Sequence, residues 1–233
     1  MYRVEDKYSC SERDMLLLES RMKAVMRPDP AAGGTSYRIS SLYFDDPADS
    51  CLAESEDGAG CRKKYRIRIY NNTADVIKLE VKYKAYNRIL KKSRTISRED
   101  AEKLIAGECI EDREESLDNP VTLFNLAMKE HLLRPAVIID YRRDAYIFPA
   151  GNVRITFDRE IRAGKDTGNF LTGKTACTPL READRILEVK YDEMLPGFIG
   201  RLLELGNMNQ VSYSKYRLGR EQLEVQGKCP RRM

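Results

Sequence analysis

Several segments of the chain alternate apolar and charged residues, so that the charges fall on one side of an extended strand. Residues 65–69 (YRIRI) place Arg66 and Arg68 between Tyr and Ile, and residues 77–84 and 153–158 follow the same rule. Successive side chains of a strand point to opposite faces. Each segment therefore predicts a strand with one apolar face and one densely charged face. The charged faces either meet water, as in an ordinary sandwich, or line the inside of a barrel.

One five-residue pattern, aliphatic-Glu-x-Lys-Tyr, occurs three times. The copies lie at residues 4–8 (VEDKY), 79–83 (LEVKY) and 187–191 (LEVKY). In a strand, the Glu and the Lys share a face and the aliphatic residue and the Tyr share the other. A cross-strand ion pair on a solvated surface explains one such copy. Three copies favour a common, enclosed site.

The remaining sequence predicts an antiparallel fold with helices at irregular intervals. Ser11 to Asp14 form a capping box before a helix over residues 15–26, Ser97 opens a short helix that ends at Gly107, and Asn119 opens another over residues 121–133. A further helix runs over residues 196–206. The predicted strands are residues 4–8, 37–44, 65–70, 76–86, 89–96, 136–146, 153–158, 186–191 and 211–217. Without a βαβ rhythm, this order favours an antiparallel barrel with helices, an α+β protein, over a doubly wound sheet.

Composition narrows the class of protein. The length of 233 residues, of which 33% are charged, suits a single domain over residues 1–225, followed by a disordered tail over 226–233. The net charge of only +4 argues against a surface that coats nucleic acid. We expect no signal peptide and no membrane span, because no apolar run approaches the roughly 20 residues required. Six cysteines without metal-binding spacing are typical of reduced thiols in a cytoplasmic protein.

The mixture of charges points to a particular ligand. Arginines and lysines that face one another inside a barrel repel unless a polyanion neutralises them. Carboxylates among them fit if a divalent metal accompanies that polyanion. With His131 as the only histidine, the metal ligands must be oxygens, which favours Mg²⁺ or Mn²⁺ over zinc. The sequence therefore predicts a metal–polyphosphate site.

The ordered set of motifs resembles the VTC-type polyphosphate polymerase domain, a branch of the triphosphate tunnel metalloenzymes (CYTH-like). The resemblance covers roughly residues 2 to 220. It rests on the first-strand Glu-x-Lys, SLYFD at residues 41–45, YRIRIYN at 65–71, LEVK at 79–82 and 187–190, RITFDR at 154–159 and SKY at 214–216. Each motif is weak alone, and their order is specific.

This resemblance implies an α+β fold, a closed eight-stranded antiparallel β-barrel (tunnel) with a charged lumen, decorated by several helices. It also implies that the γ-phosphate of ATP is polymerised into polyphosphate in that tunnel. By position it implies phosphate binding by Lys7, Arg66, Arg68, Lys82, Arg94, Arg154, Lys190 and Lys215. It implies metal binding chiefly by Glu188, with Glu80 and Glu5 as weaker candidates. Arg66, Arg68, Lys82, Arg154 and Glu188 would be the catalytic set, and ATP, triphosphate or polyphosphate the partners.

Two positions depart from the family pattern. Arg3 stands where the wider superfamily has the first Glu of its Glu-x-Glu-x-Lys signature, and Ser212 stands where the eukaryotic polymerases carry a further Lys. The missing cation puts the polymerase activity in doubt more than the tunnel. We expect the domain to stand alone, without the regulatory and membrane segments of eukaryotic relatives, and a separate membrane partner is an open alternative.

Four other interpretations compete with that of a polyphosphate polymerase. Residues 168–175 (GNFLTGKT) match the P-loop pattern GxxxxGK[ST], but a polar loop precedes them and Pro179 follows closely, so a mobile loop is the better interpretation. A nucleic-acid-binding barrel could stack bases on some of the 13 tyrosines, but the glutamates would then have no purpose. A triphosphate hydrolase or a non-catalytic polyphosphate sensor would share the same cage.

Overall fold

The computed structural model describes residues 3–30, 36–86, 88–180, 185–204 and 209–228. Within these ranges, no helix combines the length and the apolar character needed to cross a membrane. Five cysteines fall in these ranges and none of them forms a disulfide, whereas Cys229 lies outside them.

Eleven strands form one antiparallel sheet. They are β1 (Arg3–Ser9), β2 (Arg27–Pro28), β3 (Ser36–Asp45), β4 (Cys61–Tyr70), β5 (Thr73–Ala85), β6 (Arg88–Ile96), β7 (Arg134–Phe148), β8 (Val153–Gly164), β9 (Thr178–Pro179), β10 (Ile186–Tyr191) and β11 (Asn209–Gln210). Eight of them follow the order β7-β3-β4-β5-β6-β1-β10-β8, and β8 pairs back with β7. The sheet is thereby a closed eight-stranded barrel, which confirms the predicted fold and rules out the sandwich.

Local sequence explains the β4–β5 hairpin that carries much of the charge. Asn71 and Asn72 both adopt left-handed backbone angles, with φ of 51° and 57°. Two consecutive left-handed residues are what a type I′ turn requires, and Asn tolerates that conformation better than most residues. The turn sets the register that places Arg66 opposite Glu80.

In the described ranges six helices accompany the barrel: α1 (Glu12–Val25), α2 (Ser50–Glu56), α3 (Arg98–Ala106), α4 (Pro120–His131), α5 (Gly197–Leu203) and α6 (Lys215–Lys228). The predicted caps are confirmed. Ser11 and Asp14 form the capping box of α1, Ser97 caps α3, which ends at Gly107, and Asn119 caps α4. These side chains accept hydrogen bonds from backbone N–H groups that the first helical turn leaves unpaired.

Two apolar clusters hold helices against the outer face of the barrel. Leu79 and Val81 of β5 and Phe124 of α4 belong to one cluster, in which Phe44 and Phe124 meet edge to face at 5.0 Å. Met15 and Leu18 of α1 belong to the other, together with β8, β10 and α5. The apolar strand faces therefore point outward under helices, so the charged faces point inward, as predicted.

A third apolar cluster fills part of the barrel itself. Ile139 of β7, Ile161 and Ala163 of β8 and Tyr216 and Leu223 of α6 pack together. Gly219 allows this packing, because a Cβ there would collide with the Ile139 side chain. The predicted charged lumen is thus charged over only part of its length, and α6 covers the rest.

The C-terminal region corrects one sequence prediction. Residues 211–217 were expected to form the last strand, but the chain has no strand there and α6 begins at Lys215. Ser214 accepts a hydrogen bond from the backbone N–H of Arg217, with the Arg217 nitrogen 3.2 Å from Oγ, and so acts as a helix cap. Val211 and Tyr213 alternate with polar residues as in a strand, but this alternation stops where α6 begins at Lys215.

Smaller differences concern element ends. Helix α2 was not predicted, and β2, β9 and β11 are strands of two residues each. Helix α5 ends at Leu203, and the rest of its predicted span, residues 205 and 206, lies outside the described residues. Helix α6 reaches Lys228, three residues into the predicted tail, and residues 229–233 lie outside the described part.

Candidate functional site

The barrel encloses a cavity of about 700 Å³. Its lining is dominated by basic side chains from seven of the eight barrel strands and by the start of α6. The basic lining residues are Arg3, Lys7, Arg62, Lys64, Arg66, Arg68, Lys82, Lys84, Lys91, Arg143, Arg154, Lys190 and Lys215. The lining also includes Glu5 and Glu188. This composition is that of an anion-binding cavity rather than an apolar pocket.

Glu80 balances the basic residues on one side of this cavity. Its carboxylate, only 1% exposed, lies 2.7 Å from the Arg66 guanidinium, 3.7 Å from that of Arg68 and 2.9 Å from Lys91 Nζ. Arg66 also donates to the Tyr43 hydroxyl, and Arg68 donates to Ser41 Oγ. The two arginines are thereby held in fixed positions by groups on β3 and β5.

Glu5 and Glu188 lie on either side of one ammonium group. Lys190 Nζ is 3.3 Å from Glu5 and 2.9 Å from Glu188. Glu5 also pairs with Lys7 at 2.9 Å and with Lys82 at 3.0 Å. These residues supply the Glu-x-Lys pairs of β1 and β10, which the register sets side by side, with Glu5 opposite Lys190 and Lys7 opposite Glu188.

Arg143 joins a third carboxylate to this group. Its guanidinium is 2.6 Å from Asp158 and 3.2 Å from Glu188, and all three side chains are at least 90% buried. Lys215, the first residue of α6, lies 2.6 Å from Asp158. Helix α6 is thereby tied to the charged part of the lumen.

The paired region consists of Glu5, Glu80, Asp158 and Glu188 with the eight basic side chains that share them: Lys7, Arg66, Arg68, Lys82, Lys91, Arg143, Lys190 and Lys215. The basic residues of the paired region therefore outnumber its carboxylates by eight to four, and each carboxylate pairs with two or three of them. Burial raises the pKa of the Glu5 carboxylate, and the negative charge of Glu188 raises it further. Lys7, Lys82 and Lys190 outweigh both effects and hold the pKa of Glu5 at about 2. All four carboxylates therefore remain ionised at neutral pH. Burial lowers the pKa of Lys82 to about 7, so that lysine is only partly charged at neutral pH, but the other seven basic groups still outnumber the four carboxylates.

The unpaired end consists of Arg62, Lys64 and Lys84. Within the described part of the chain, none of these three lies in an ion pair with a carboxylate. Lys64 Nζ donates to Ser214 Oγ at 2.7 Å and lies 5.0 Å from the centre of the Tyr216 ring. Burial, and then the neighbouring Arg62, Lys82 and Lys7, push the pKa of Lys64 well below its usual value.

Most of the predicted site residues meet in this cavity. Lys7, Arg66, Arg68, Lys82, Glu5, Glu188 and Lys190 line it from strands, and Lys215 lines it from the start of a helix. Arg154 lines it at a side where its guanidinium pairs with Asp29 at 2.7 Å and donates to the Tyr37 hydroxyl at 3.1 Å. Their roles in phosphate binding stay a proposal.

Two predicted residues are placed otherwise. Arg94 is opposite Leu79, whose side chain lies in the outer apolar cluster, and pairs with Glu114 at 2.9 Å, so it lies outside the cavity. On β6 it is Lys91, opposite Lys82, that faces the lumen. Glu80 is buried as the counter-ion of Arg66 and Arg68, and it shares no ion-pair partner with Glu5 or Glu188.

Several wall residues were not anticipated as site residues: Tyr43, Arg62, Lys64, Lys84, Lys91, Tyr141, Arg143 and Asp158. Extending the alternation of β4 by four residues would have found Arg62 and Lys64. Arg143 gave no such signal, because residues 140–144 (DYRRD) are charged on both faces. There Asp140 pairs with Arg38 and Asp144 with Arg159 on the outer side.

The cavity carboxylates offer only part of the oxygen ligands that Mg²⁺ or Mn²⁺ requires. Among the described residues, no group of three or more His, Cys, Asp or Glu side chains could hold a metal. Glu5 and Glu188 do approach a common point, now taken by Lys190 Nζ. Mg²⁺ is usually held by one or two carboxylates together with substrate phosphates and water. The pair therefore fits a divalent cation that arrives with phosphates, and Arg3 adds no third carboxylate.

The P-loop match at residues 168–175 lies in a loop between β8 and β9. A single 3-10 turn covers residues 170–172, and no helix starts at Lys174. The cavity lining includes none of these residues. The geometry that a P-loop requires, a strand leading into the loop and a helix after it, is therefore not present at this segment.

The chain is thus a closed antiparallel barrel whose lumen is basic and contains carboxylates. The chain matches the family model "VTC domain" over residues 2–224. It belongs to the VTC domain family, as its motifs indicated. No curated protein matches the sequence at a significant level.

Solved structures share the fold at low sequence identity. The protein PH1819 from Pyrococcus horikoshii OT3 matches with a TM-score of 0.50 and 15% identity, over 94% of this chain and 99% of that one. A putative adenylyl cyclase from Hippeastrum, described as having a dominant triphosphatase activity, gives a TM-score of 0.57 and 12% identity over 95% of each chain. The protein PH1012 from the same Pyrococcus gives 0.50 and 13% identity over 93% and 98%. These likenesses establish the fold alone.

Proposed function

We propose that this protein transfers the γ-phosphoryl group of ATP to the end of a polyphosphate chain, with Mn²⁺ or Mg²⁺ and in the cytoplasm. One observation carries the proposal: eleven basic side chains of the paired region and the unpaired end line an enclosed cavity, and the ion pairs of the described residues supply them with four carboxylates. A phosphate chain is the ligand that supplies many negative charges in a narrow, extended shape. The VTC family assignment supports the same substrate class.

The residues act by holding and orienting phosphates. Arg66, Arg68, Lys82 and Arg154 bind phosphate oxygens, and Lys7, Lys190 and Lys215 add positive charge where negative charge accumulates in the transition state. Phosphoryl transfer needs alignment and charge stabilisation more than it needs a nucleophile from the protein. The buried counter-ion Glu80 and the Tyr43 hydroxyl keep Arg66 in position before the ligand arrives.

Glu188 and Glu5 would hold the divalent cation once phosphates draw Lys190 away from them. The bound cation would neutralise phosphate oxygens and help align the reacting groups. In the reaction, the bond between the γ-phosphorus and the β,γ-bridging oxygen of ATP breaks. A bond from the terminal oxygen of the chain to that phosphorus forms, so the products are ADP and a chain longer by one phosphate.

A triphosphate hydrolase is the second candidate, because water can replace the chain terminus as acceptor in the same site. The test is to incubate the purified protein with ATP and Mn²⁺ and to separate the products. We expect ADP and long polyphosphate, with loss of both when the metal is chelated. Orthophosphate as the only phosphate product would establish the hydrolase instead. No turnover, with triphosphate still bound, would establish a sensor.

A matched pair of variants connects this activity to the cavity. Arg68→Met removes a cavity arginine, and Lys63→Met removes a basic residue of the same strand that faces outward over the Tyr83 ring. The first variant should lose ADP formation by at least tenfold, about 1.4 kcal/mol. The second should keep it. Equal activity in both variants would contradict the assignment of the cavity as the active site.

A further inference from the structure

The hairpin of β4 and β5 changes its charge pairing along its length. Arg66 is opposite Glu80, but Lys64 is opposite Lys82 and Arg62 is opposite Lys84. Like charges directly opposite each other in a sheet destabilise it. Lys82 is balanced by Glu5, whereas Arg62, Lys64 and Lys84 form no ion pair with a carboxylate of the described residues.

The other contacts of these three residues do not remove the imbalance. Arg62 donates to the backbone carbonyl of Ala59 at 3.1 Å, and Lys64 donates to the Ser214 hydroxyl. Burial is the main cause that lowers the pKa of Lys64 and of Lys84, and Arg62 is the next cause for both. Each of these two ammonium groups thus has basic side chains as close neighbours and is partly shielded from water.

Helix α6 adds further positive potential at the same place. Its first residue is Lys215, its cap is Ser214, and both line the cavity with residues 211–213. The N-terminal end of a helix carries a partial positive charge and free N–H groups. The Ser214 hydroxyl, which accepts a hydrogen bond from Lys64, therefore lies at the positive end of a 14-residue helix.

The unpaired end continues the line of the paired region. Arg62, Lys64, Arg66 and Arg68 occupy alternate positions of one strand, which at about 3.3 Å per residue spans roughly 20 Å. A triphosphate, with only three phosphorus atoms, is shorter than this row. The row therefore has room for further phosphates beyond those that Arg66 and Arg68 hold.

We propose that Arg62, Lys64 and Lys84, together with the start of α6, form a subsite for the phosphates of a polyphosphate chain beyond the third. This inference rests on the proposed function and adds to it a preference for chain length. Three phosphates would occupy the paired region, and the unpaired end would hold the continuing chain, which gives it the negative charge that the protein itself does not supply there.

Calorimetric titration with linear phosphates of defined length tests the inference. The parent should bind linear hexapolyphosphate at least tenfold more tightly than tripolyphosphate. In Lys64→Met and in Lys84→Met that ratio should fall to about threefold or less, while tripolyphosphate affinity stays within about threefold of the parent. The control is Lys63→Met, whose side chain faces outward and should leave both affinities unchanged.

The contrary outcomes are distinct. A parent ratio near one would show that no subsite exists beyond the third phosphate. An equal loss for both ligands in Lys64→Met and Lys84→Met would place these lysines in the triphosphate site, which also overturns the inference. If the parent binds neither phosphate, the proposed function itself fails. Two separate variants are used so that a folding defect in one does not decide the result.

Discussion

The paired region and the unpaired end of the cavity contain the same kinds of side chain but balance their charge differently. In the paired region, buried carboxylates such as Glu80 hold arginines in place at distances of 2.7 to 3.7 Å. At the unpaired end, Lys64 contacts the Ser214 hydroxyl and the Tyr216 ring and pairs with no carboxylate of the described residues. Basic residues in the first region stabilise the empty fold through their partners, whereas those in the second destabilise it. The two regions should therefore respond in opposite directions to the loss of a positive charge.

The largest effect is expected for Arg143, which holds two buried carboxylates at once. Arg143→Met leaves Asp158 with Lys215 and Glu188 with Lys190 as partners in a buried setting. Removing one partner from a buried ion pair typically costs about 3–5 kcal/mol. Urea unfolding should show a loss of this size. The control is Arg142→Met, an exposed neighbour that donates to Ser36, which should change the free energy of unfolding by no more than about 0.5 kcal/mol.

Arg66 sharpens the comparison because it combines both kinds of effect. Arg66→Met should weaken tripolyphosphate binding by at least tenfold, about 1.4 kcal/mol. It should also destabilise the empty protein by roughly 1–3 kcal/mol, since Glu80 and the Tyr43 hydroxyl lose a buried partner. Relief of repulsion alone would leave the empty protein as stable as the parent or more so. Calorimetric titration and chemical unfolding of the same sample separate the two quantities, and an unchanged stability would contradict the role assigned to Glu80.

Lys64 should show the opposite sign. Lys64→Met removes a positive charge opposite Lys82 and should raise the free energy of unfolding by roughly 0.2–1 kcal/mol. Folding lowers the pKa of Lys64. The folded parent is therefore destabilised at every pH at which this lysine is protonated in the unfolded chain. This destabilisation should decrease as the pH rises toward the unfolded value of about 10.4. Thermal unfolding of both proteins from pH 7 to pH 10 measures this. A difference that grows with pH would contradict the account.

The smallest effect is expected outside both regions, at Lys174. This lysine belongs to the loop between β8 and β9 and does not line the cavity. Lys174→Ala should leave ATP affinity within about threefold of the parent, since no phosphate contact is lost. An essential phosphate-binding lysine would cost about 1.5–3 kcal/mol per charged hydrogen bond. A collapse of ATP binding in an equilibrium titration would restore the P-loop hypothesis.

The period-two charge pattern of the strands predicted an antiparallel sheet with one charged face. The resemblance of the ordered motifs to the VTC domain then favoured a closed barrel over a sandwich. The same pattern located Arg66, Arg68, Lys82 and Glu188 correctly in the lumen. It could not tell which side chains balance which, since pairing depends on register across strands that are far apart in the chain. Glu5, for example, meets Lys82 across a separation of 77 residues.

Three errors have specific physical causes. Arg94 was placed in the site from its position in the family pattern, and the strand itself, with basic residues on both faces, gives no sign of which face points inward. The segment 211–217 was predicted as a strand because its alternation is short, and the capping role of Ser214 becomes visible only with α6. Arg143 was missed because a register shift between β7 and β8, at Asp140 and Arg142, accompanies charges on both faces.

The most direct test of the central claim is a thermal-shift measurement with tripolyphosphate on the parent, Arg68→Met and Lys63→Met. A ligand that binds only the folded state, present at 100 times its dissociation constant, stabilises it by about 2.7 kcal/mol. We predict a large rise in melting temperature for the parent and for Lys63→Met, and a much smaller rise for Arg68→Met. Equal rises in all three proteins would contradict the claim that the lumen of the barrel binds the phosphate chain.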